Sequence, residues 1–266
     1  MELNLEEKVA LVTGSYRGTG AGIARVLAGE GARVVVHGLE PGQAEPIAEE
    51  LRAAGGEAWV ACGDVRTEVG ARAAAESALA QAGRVDVLVN NYGAAAGRSW
   101  LEADETDWLD MFHTNVLSGA RMVRHLVPGM RKRHWGRVLF LGTVGGERPR
   151  AQMPGYYAAK ASLANMTVSL AKELAGSGIT VNTISPGMLA TAEVRASLER
   201  RAAKQGWGDD WDEIQRRASS DFMPNPTGRL GTVEEVGHLV AFLASHHAAY
   251  INGANVRIDG GTADCV

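Results

Sequence analysis

The strongest constraint on this chain is the alternation of short β-branched runs with helical periods. Several runs, such as Val34–Val36 and Val85–Val89, are continuously apolar. Parallel strands covered on both faces have this pattern, and helical crossovers must join them. We therefore expect an α/β fold, a doubly wound parallel sheet of about seven strands with helices on both faces. The predicted strands are Val9–Thr13, Arg33–His37, Ala58–Ala61, Val85–Asn90, Arg137–Leu141, Thr180–Ser185 and Asn255–Ile258.

A chain of 266 residues is long enough for one large core, and no linker divides it. We predict a single domain over residues 1–266. One irregular stretch, at about 188–228, looks like two short helices, Ala192–Gln205 and Asp209–Ser219, broken by Gly206-Trp207-Gly208. We expect this stretch to form a lid over a substrate, with packing of its aromatic residues onto the body as the alternative.

The net charge of −4 provides no electrostatic footprint for nucleic acid or an anionic membrane. No apolar run is long enough to span a bilayer, and the N-terminus lacks a signal-peptide pattern. Cys62 and Cys265 have no CxxC spacing, which argues against a zinc site or a disulfide framework. We expect a cytoplasmic protein without a metal, and Cys265 to be a free thiol.

The first predicted strand runs into a glycine-rich turn, Thr13-Gly14-Ser15-Tyr16-Arg17-Gly18-Thr19-Gly20, after which a helix begins. Such glycines let the backbone approach a pyrophosphate, and the helix supplies free N–H groups and a positive dipole end. A tight strand-to-helix turn without a ligand would also use these glycines. The position at the first βα junction favours a Rossmann-like dinucleotide site.

The second strand ends at His37-Gly38-Leu39, where an aspartate would select NAD by bonding the ribose 2′-hydroxyl. That aspartate is missing, and Glu40 stands a little further on. Arg17 in the glycine turn could reach a 2′-phosphate, although it could also be a solvated loop cation. The pattern favours NADP and leaves NAD open.

Tyr156 and Lys160 are spaced i, i+4 at the start of a predicted helix and therefore share a helix face. Such a pair alone is commonly surface packing. Together with the glycine turn, it suggests a phenol and an ammonium beside a bound dinucleotide.

At this point the sequence resembles the short-chain dehydrogenase/reductase family over nearly its whole length. The family's glycine motif matches Thr13 to Gly20, and its YxxxK motif matches Tyr156 and Lys160. Further matches are Asp64-Val65, the NNAG-like Asn90-Asn91-Tyr92-Gly93, the helix asparagine Asn115, Pro186-Gly187 with Thr191, and a C-terminal segment ending in Asp259-Gly260-Gly261. One departure is that Thr143 occupies the position of the catalytic serine, and we expect its hydroxyl to serve.

The resemblance implies hydride transfer between NAD(P) and a carbonyl or secondary alcohol. Tyr156 would be the acid and base, with a pKa lowered by Lys160, while Thr143 would donate to the substrate oxygen and Asn115 would hold a relay water. The implied cofactor-binding residues are Gly14, Tyr16, Arg17, Gly18, Thr19, Gly20, Gly38, Leu39, Asp64, Val65, Asn91, Gly93, Tyr156, Lys160, Pro186, Gly187, Leu189 and Thr191. Relatives are commonly homotetramers, built from the Asn115 and Tyr156 helices and the C-terminal strand and helix.

The substrate should lie beyond the carboxyl ends of the strands. Candidate contacts there are Tyr92, Thr143, Val144, Met153, Met188, Trp207 and Phe222. Arg148 and Arg150 could meet a carboxylate or phosphate of the substrate, or could lie in a solvated loop or a subunit contact. The lid slightly favours a small ketone, polyol or secondary-metabolite alcohol. A 3-oxoacyl-[acyl-carrier-protein] reductase and a non-catalytic nucleotide-binding homologue are the alternatives.

Overall fold

The structure is a computed structural model that describes residues 1–264 apart from the side chain of Phe222. Within that part, seven parallel strands form one sheet in the order β3-β2-β1-β4-β5-β6-β7, which confirms the predicted fold class. The prediction of a free Cys265 thiol lies outside the described residues. The strands are β1 Val9–Val12, β2 Arg33–Gly38, β3 Ala58–Cys62, β4 Val87–Asn90, β5 Gly136–Leu141, β6 Ile179–Pro186 and β7 Asn255–Ile258.

The continuously apolar strands have a simple cause, because both faces of the sheet are covered by helices. In β1, Ala10 and Val12 point into one hydrophobic cluster, whereas Val9 and Leu11 point into the other. On the first face lie α1 (Gly18–Gly29), α2 (Glu45–Ala53) and α9 (Val233–Ala244); on the second lie α3 (Glu68–Ala82), α5 (Ser118–Lys132) and α6 (Pro154–Glu173).

The remaining helical elements lie around the carboxyl edge of the sheet. Helix α4 (Glu105–Phe112) continues through a π-helical turn, His113–Leu117, into α5, and a 3₁₀ turn covers Val144–Gly146. Two helices follow β6, α7 (Ala192–Gln205) and α8 (Trp211–Phe222). Helix α8 begins later than the predicted Asp209, because the Asp210 carboxylate caps it by accepting a hydrogen bond from the Asp212 N–H at 3.0 Å.

The strand order changes direction between β1 and β4, which are hydrogen-bonded neighbours with Val12 opposite Val89. The loops after these two strands therefore diverge to opposite sides and leave a crevice at the carboxyl edge, where ligands bind in open α/β sheets. Within residues 1–264, no helix is both long and apolar enough to cross a membrane. The same described residues contain no cluster of side chains suited to a metal ion.

Candidate active site

The glycine turn after β1 has the backbone that its sequence demands. Gly14 and Gly18 have φ angles of +63° and +54°, in the left-handed region that favours glycine. A Cβ on Gly20 would lie 2.6 Å from the Gly14 carbonyl oxygen, so the turn closes only without a side chain. Arg17 makes no side-chain cap at the start of α1, so the first N–H groups of the helix lack a side-chain acceptor. Such a helix end is suited to a phosphate.

The His37 side chain fixes the position of this turn through a hydrogen bond. Its Nδ1 accepts a hydrogen bond from the Gly14 N–H at 2.9 Å, so its Nε2 must donate to the Gly63 carbonyl, 3.0 Å away. The ring is fully buried, and burial lowers the pKa of His37 to about 4. The imidazole is therefore neutral and links the ends of three strands. The sequence indicates only that His37 stands at the end of the second strand, and it gives no sign of this role.

The loops after β2 and β3 carry the predicted adenosine contacts Gly38, Leu39, Asp64 and Val65, which lie outside the wall of the cavity described below. The Leu39 N–H donates to the Gln43 side chain at 2.9 Å, beside Gly38. The Asp64 carboxylate, next to Val65, accepts hydrogen bonds from the Arg66 backbone N–H and guanidinium, the shortest at 2.8 Å. The Asn91 amide donates to the Thr13 carbonyl at 2.8 Å and so joins the β4 loop to the glycine turn.

Tyr92, which replaces the alanine of the NNAG motif, lies on the wall of that cavity. A Cβ on Gly14 would be 3.1 Å from its Cδ2 atom. The phenol also interacts electrostatically with Arg66, Asp64 and Arg17, and burial raises its pKa. The ring therefore lies beside the glycine turn, a location the sequence did not indicate when it placed Tyr92 among the substrate contacts.

Arg17 is 66% exposed at the mouth of the cavity. Its guanidinium lies 5.3 Å from the centre of the Tyr16 ring and 3.7 Å from the Glu193 carboxylate of α7. An ion pair so exposed contributes little stability, so the guanidinium remains available to an anion.

The catalytic candidates meet where β5 ends and α6 begins. The backbone at Thr143 is extended, and its hydroxyl lies close enough to the Tyr156 phenol to lower the pKa of that group. The same hydroxyl accepts a hydrogen bond from the Gly145 N–H at 3.2 Å. Tyr156 lies in the first turn of α6, and Lys160 lies one turn later. The Lys160 ammonium donates to the Leu141 carbonyl at 2.7 Å, which fixes it beneath the cavity.

Burial sets the acidities of both groups. It raises the pKa of Tyr156 to about 12, Tyr157 adds to the rise, and the hydrogen bond with Thr143 opposes it. Burial also lowers the pKa of Lys160 to about 8. The sequence predicts that Lys160 lowers the pKa of Tyr156; in the protein alone, burial of the phenol has the larger effect and raises that pKa.

Asn115 lies in the π-helical turn and is bound to the β4 loop. Its Oδ1 accepts from the Ala94 N–H at 3.1 Å, and its Nδ2 donates to the Met111 carbonyl at 3.1 Å. A Cβ on Gly93 would be 2.6 Å from Asn115 Oδ1 and 3.0 Å from Lys160 Nζ. Glycine at this position therefore lets the amide and the ammonium approach each other.

One cavity of about 790 Å³ joins the glycine turn to the catalytic candidates. Nine further residues on its wall are not among the predicted site residues, namely Ala94, Ala95, Leu141, Gly142, Gly145, Tyr157, Glu193, Val194 and Met223. The predicted residues on its wall are Gly14, Tyr16, Arg17, Gly18, Thr19, Gly20, Asn91, Tyr92, Gly93, Thr143, Met153, Tyr156, Lys160, Pro186, Gly187, Met188, Leu189 and Thr191.

Other predicted site residues lie around this cavity. Val144 lines a second cavity of about 230 Å³ next to it. Trp207 packs in the separate hydrophobic cluster between α7 and α8, together with Leu198 and Ile214. The Phe222 side chain is outside the described part, so its predicted substrate contact stays a prediction.

A glycine turn at the switch point of a parallel sheet, with a phenol, a hydroxyl and an ammonium on the wall of the same cavity, defines a class of protein. It is the class of nicotinamide-dependent oxidoreductases. The comparisons are more specific, because a family model described as enoyl-(acyl carrier protein) reductase matches residues 14–263. The chain belongs to the short-chain dehydrogenase/reductase family, as its motifs indicated.

Two relatives match this chain over almost their full length. The chain is 34% identical to the 3-oxoacyl-[acyl-carrier-protein] reductase FabG of Escherichia coli over 259 residues, which cover 97% of this chain and 98% of the relative. It is 35% identical to the uncharacterized oxidoreductase YvaG of Bacillus subtilis over 265 residues, 98% of each chain.

Two solved structures show the same fold. L-sorbose reductase of Gluconobacter frateurii, complexed with NADPH and L-sorbose, superposes with a TM-score of 0.92 at 30% identity and covers 100% of both chains. A 3-oxoacyl (acyl-carrier-protein) reductase of Agrobacterium tumefaciens with NADP bound superposes with a TM-score of 0.86 at 34% identity, covering 98% of this chain and 96% of that one. This chain is thus an NAD(P)-dependent oxidoreductase that interconverts a ketone and a secondary alcohol.

Proposed function

We propose that the protein reduces a ketone with Tyr156 as the proton donor and, in the reverse direction, oxidises a secondary alcohol with Tyr156 as the base. A ketone that gains a hydride develops negative charge on its oxygen. The Thr143 hydroxyl stabilises that charge by donating a hydrogen bond, while the Tyr156 phenol delivers the proton. When bound, the nicotinamide cofactor supplies or accepts the hydride.

Lys160 and Asn115 assist proton transfer by Tyr156. Lys160 lies at the floor of the cavity, where it would hold the nicotinamide ribose, and its positive charge favours the phenolate during oxidation. Because Lys160 Nζ and Asn115 Oδ1 converge on Gly93, water bound between them returns protons to Tyr156. The observation that carries this proposal is that one cavity, which begins at the glycine turn, brings Thr143, Tyr156 and Lys160 together on its wall.

Replacing Tyr156 with phenylalanine tests these roles, because it removes the proton donor and little packing. Loss of a general acid costs about 10²- to 10⁴-fold in rate. We expect kcat to fall by that range while the Kd for NADPH, followed by nicotinamide fluorescence, changes less than threefold. Thr143→Ser should retain most of the activity, and Thr143→Val should lose most of it. Near-normal turnover in Tyr156→Phe would refute the assignment.

We also propose that NADP(H) is preferred over NAD(H). The β2 loop has no acidic residue at Gly38 or Leu39, and Arg17 extends from the glycine turn at the mouth of the cavity. The glycine cradle and this cation match a dinucleotide with a 2′-phosphate. The test is kcat/KM for NADPH and NADH in wild type and Arg17→Gln. We expect the variant to lose the NADPH preference, and a strong preference of wild type for NADH would contradict the proposal.

A second candidate is reduction of a 3-oxoacyl thioester, because the similar enzymes of E. coli and A. tumefaciens carry that name. The L-sorbose reductase, which superposes along the whole chain, favours a small polyhydroxylated ketone instead. Rates with acetoacetyl thioesters and with a panel of sugars and small ketones separate the two candidates.

The surroundings of the site complete the proposal. We infer that residues 188–228 act as a lid, since Met188, Leu189, Val194 and Met223 form one wall of the cavity. We further propose a homotetramer in the cytoplasm, which the exposed apolar side chains Leu109 and Val168 and the scarcity of cysteine support.

A further inference from the structure

The two arginines that follow Thr143 lie at the junction of two cavities. Arg148 and Arg150 line the main cavity, which also contains Tyr156, and the second cavity of about 230 Å³ beside it. Met223 is the third residue shared by both walls. The two spaces therefore meet at a pair of guanidinium groups.

The charges around this junction are mostly positive. Among the described residues lining the second cavity, Arg148 and Arg150 are charged and there is no carboxylate. Arg148 donates to the Thr262 carbonyl at 2.6 Å and pairs with Asp264 at 3.1 Å. That pair is 50% exposed on the arginine and 74% exposed on the aspartate, so water screens it and an incoming anion can replace it.

The cofactor does not account for this charge. The second cavity contains no residue of the glycine turn, and its wall consists of Val144, Pro149, Pro224, Thr262 and the shared residues. The phosphates of a dinucleotide belong at the N-terminus of α1, near Arg17. The junction instead lies next to Thr143 and Tyr156, where the ketone must be placed.

We propose that the substrate is a ketone with an anionic group, a carboxylate or a phosphate, which Arg148 and Arg150 bind while its carbonyl faces Tyr156. This inference rests on the proposed function, since it names the substrate class of that site. Guanidinium groups bind such anions through paired, charge-assisted hydrogen bonds. The methionines Met153, Met188 and Met223 on the main wall contact the chain between the two ends.

Binding to the enzyme saturated with NADP⁺ tests the idea without turnover, because the oxidised cofactor cannot reduce a ketone and already fills the phosphate sites. The probes are 4-oxopentanoate against its methyl ester, and hydroxyacetone phosphate against hydroxyacetone. Isothermal titration calorimetry should show the anion of at least one pair binding about 10- to 100-fold more tightly than its neutral partner. The pair that shows this preference distinguishes carboxylate from phosphate.

The variants locate the effect. Arg150→Gln should bring the affinity ratio close to one, Arg150→Lys should restore part of it, and Arg72→Gln, at an exposed arginine on α3, should leave it unchanged. Equal affinities within both wild-type pairs, or a full preference in Arg148→Gln and Arg150→Gln alike, would overturn the proposal. An anion preference without reduction of any ketone by NADPH would instead refute the proposed function and leave this site standing.

Discussion

At the scale of single residues, burial changes the pKa values of the two groups on which the chemistry depends. Tyr156 is a weaker acid and Lys160 a weaker base than the free side chains, since both lie away from water. A phenol that holds its proton firmly is suited to donating it only when negative charge forms beside it. The ammonium at Lys160, in contrast, is near its titration point under physiological conditions.

The pH dependence of catalysis follows from Lys160. Its pKa of about 8 means that the ammonium is lost as the pH rises through that value. Since the cofactor and the phenolate both need this charge, kcat/KM for NADPH, which reports the free enzyme, should fall about tenfold per pH unit above pH 8. A profile that stays flat to pH 9.5 would show that Lys160 keeps an ordinary pKa.

Stability measurements separate this loss from unfolding. The folded-state pKa lies below the unfolded value, so the unfolded chain binds more protons between about pH 8 and 10.4. The contribution of Lys160 to stability therefore increases over this window while activity falls. The melting temperature of wild type relative to Lys160→Met should rise with pH there, and a falling difference would contradict the assigned shift.

His37 can be tested because its two ring nitrogens have different partners. His37→Leu leaves the buried Gly14 N–H without an acceptor, which costs roughly 1–3 kcal/mol. We expect the Kd for NADPH to rise about tenfold or more while kcat at saturating cofactor changes little. His37→Asn places a carbonyl oxygen where Nδ1 stood and should restore most of the affinity. Equal losses in both variants would indicate simple packing.

At the scale of elements, sequence patterns predicted each of the strands to within one or two residues at either end, and strands such as β1 and β4 stand out because they are almost continuously apolar. These patterns located α7 with its bounds and the glycine turn for similar local reasons. The sequence could not show whether the Trp207 ring faces the substrate or packs within the protein, because a half-buried ring on an amphipathic segment is compatible with both. The sequence also could not predict that His37 hydrogen-bonds the glycine turn, since its partners Gly14 and Gly63 are distant in sequence.

The lid offers a prediction about that ring. Trp207 packs with Leu198, Ile214 and Trp211 in the small cluster that joins α7 to α8. Trp207→Ala removes much of this contact, and full truncation of a buried tryptophan costs roughly 3–5 kcal/mol, so a smaller loss is expected at this half-buried position. Hydrogen exchange, read by mass spectrometry, should become faster in α7 and α8 and stay unchanged in the sheet. Unchanged exchange with a raised KM would instead place the ring against the substrate.

The surface of the whole molecule leaves apolar groups in places where another copy could cover them. Val168 on α6 is 40% exposed, Leu117 before α5 is 38% exposed, and Tyr250 before β7 is fully exposed. Strand β7 is also an edge of the sheet. Such features on the helices that hold Tyr156 and Asn115 would couple assembly to the active site, because packing there fixes α6.

We therefore expect light scattering to report a mass about four times the 28.1 kDa of the chain. An aspartate at Val168 would place an uncompensated charge in the helical interface, at a cost of several kcal/mol, and should reduce the mass to a dimer or monomer with a loss of kcat. Ala53→Asp is the control, since Ala53 is exposed at the end of α2, a helix on the opposite face of the sheet from α6. If the wild type is monomeric, or if both variants keep the wild-type mass, α6 is not an interface, and the rigidity of the catalytic helix must come from the fold of one chain.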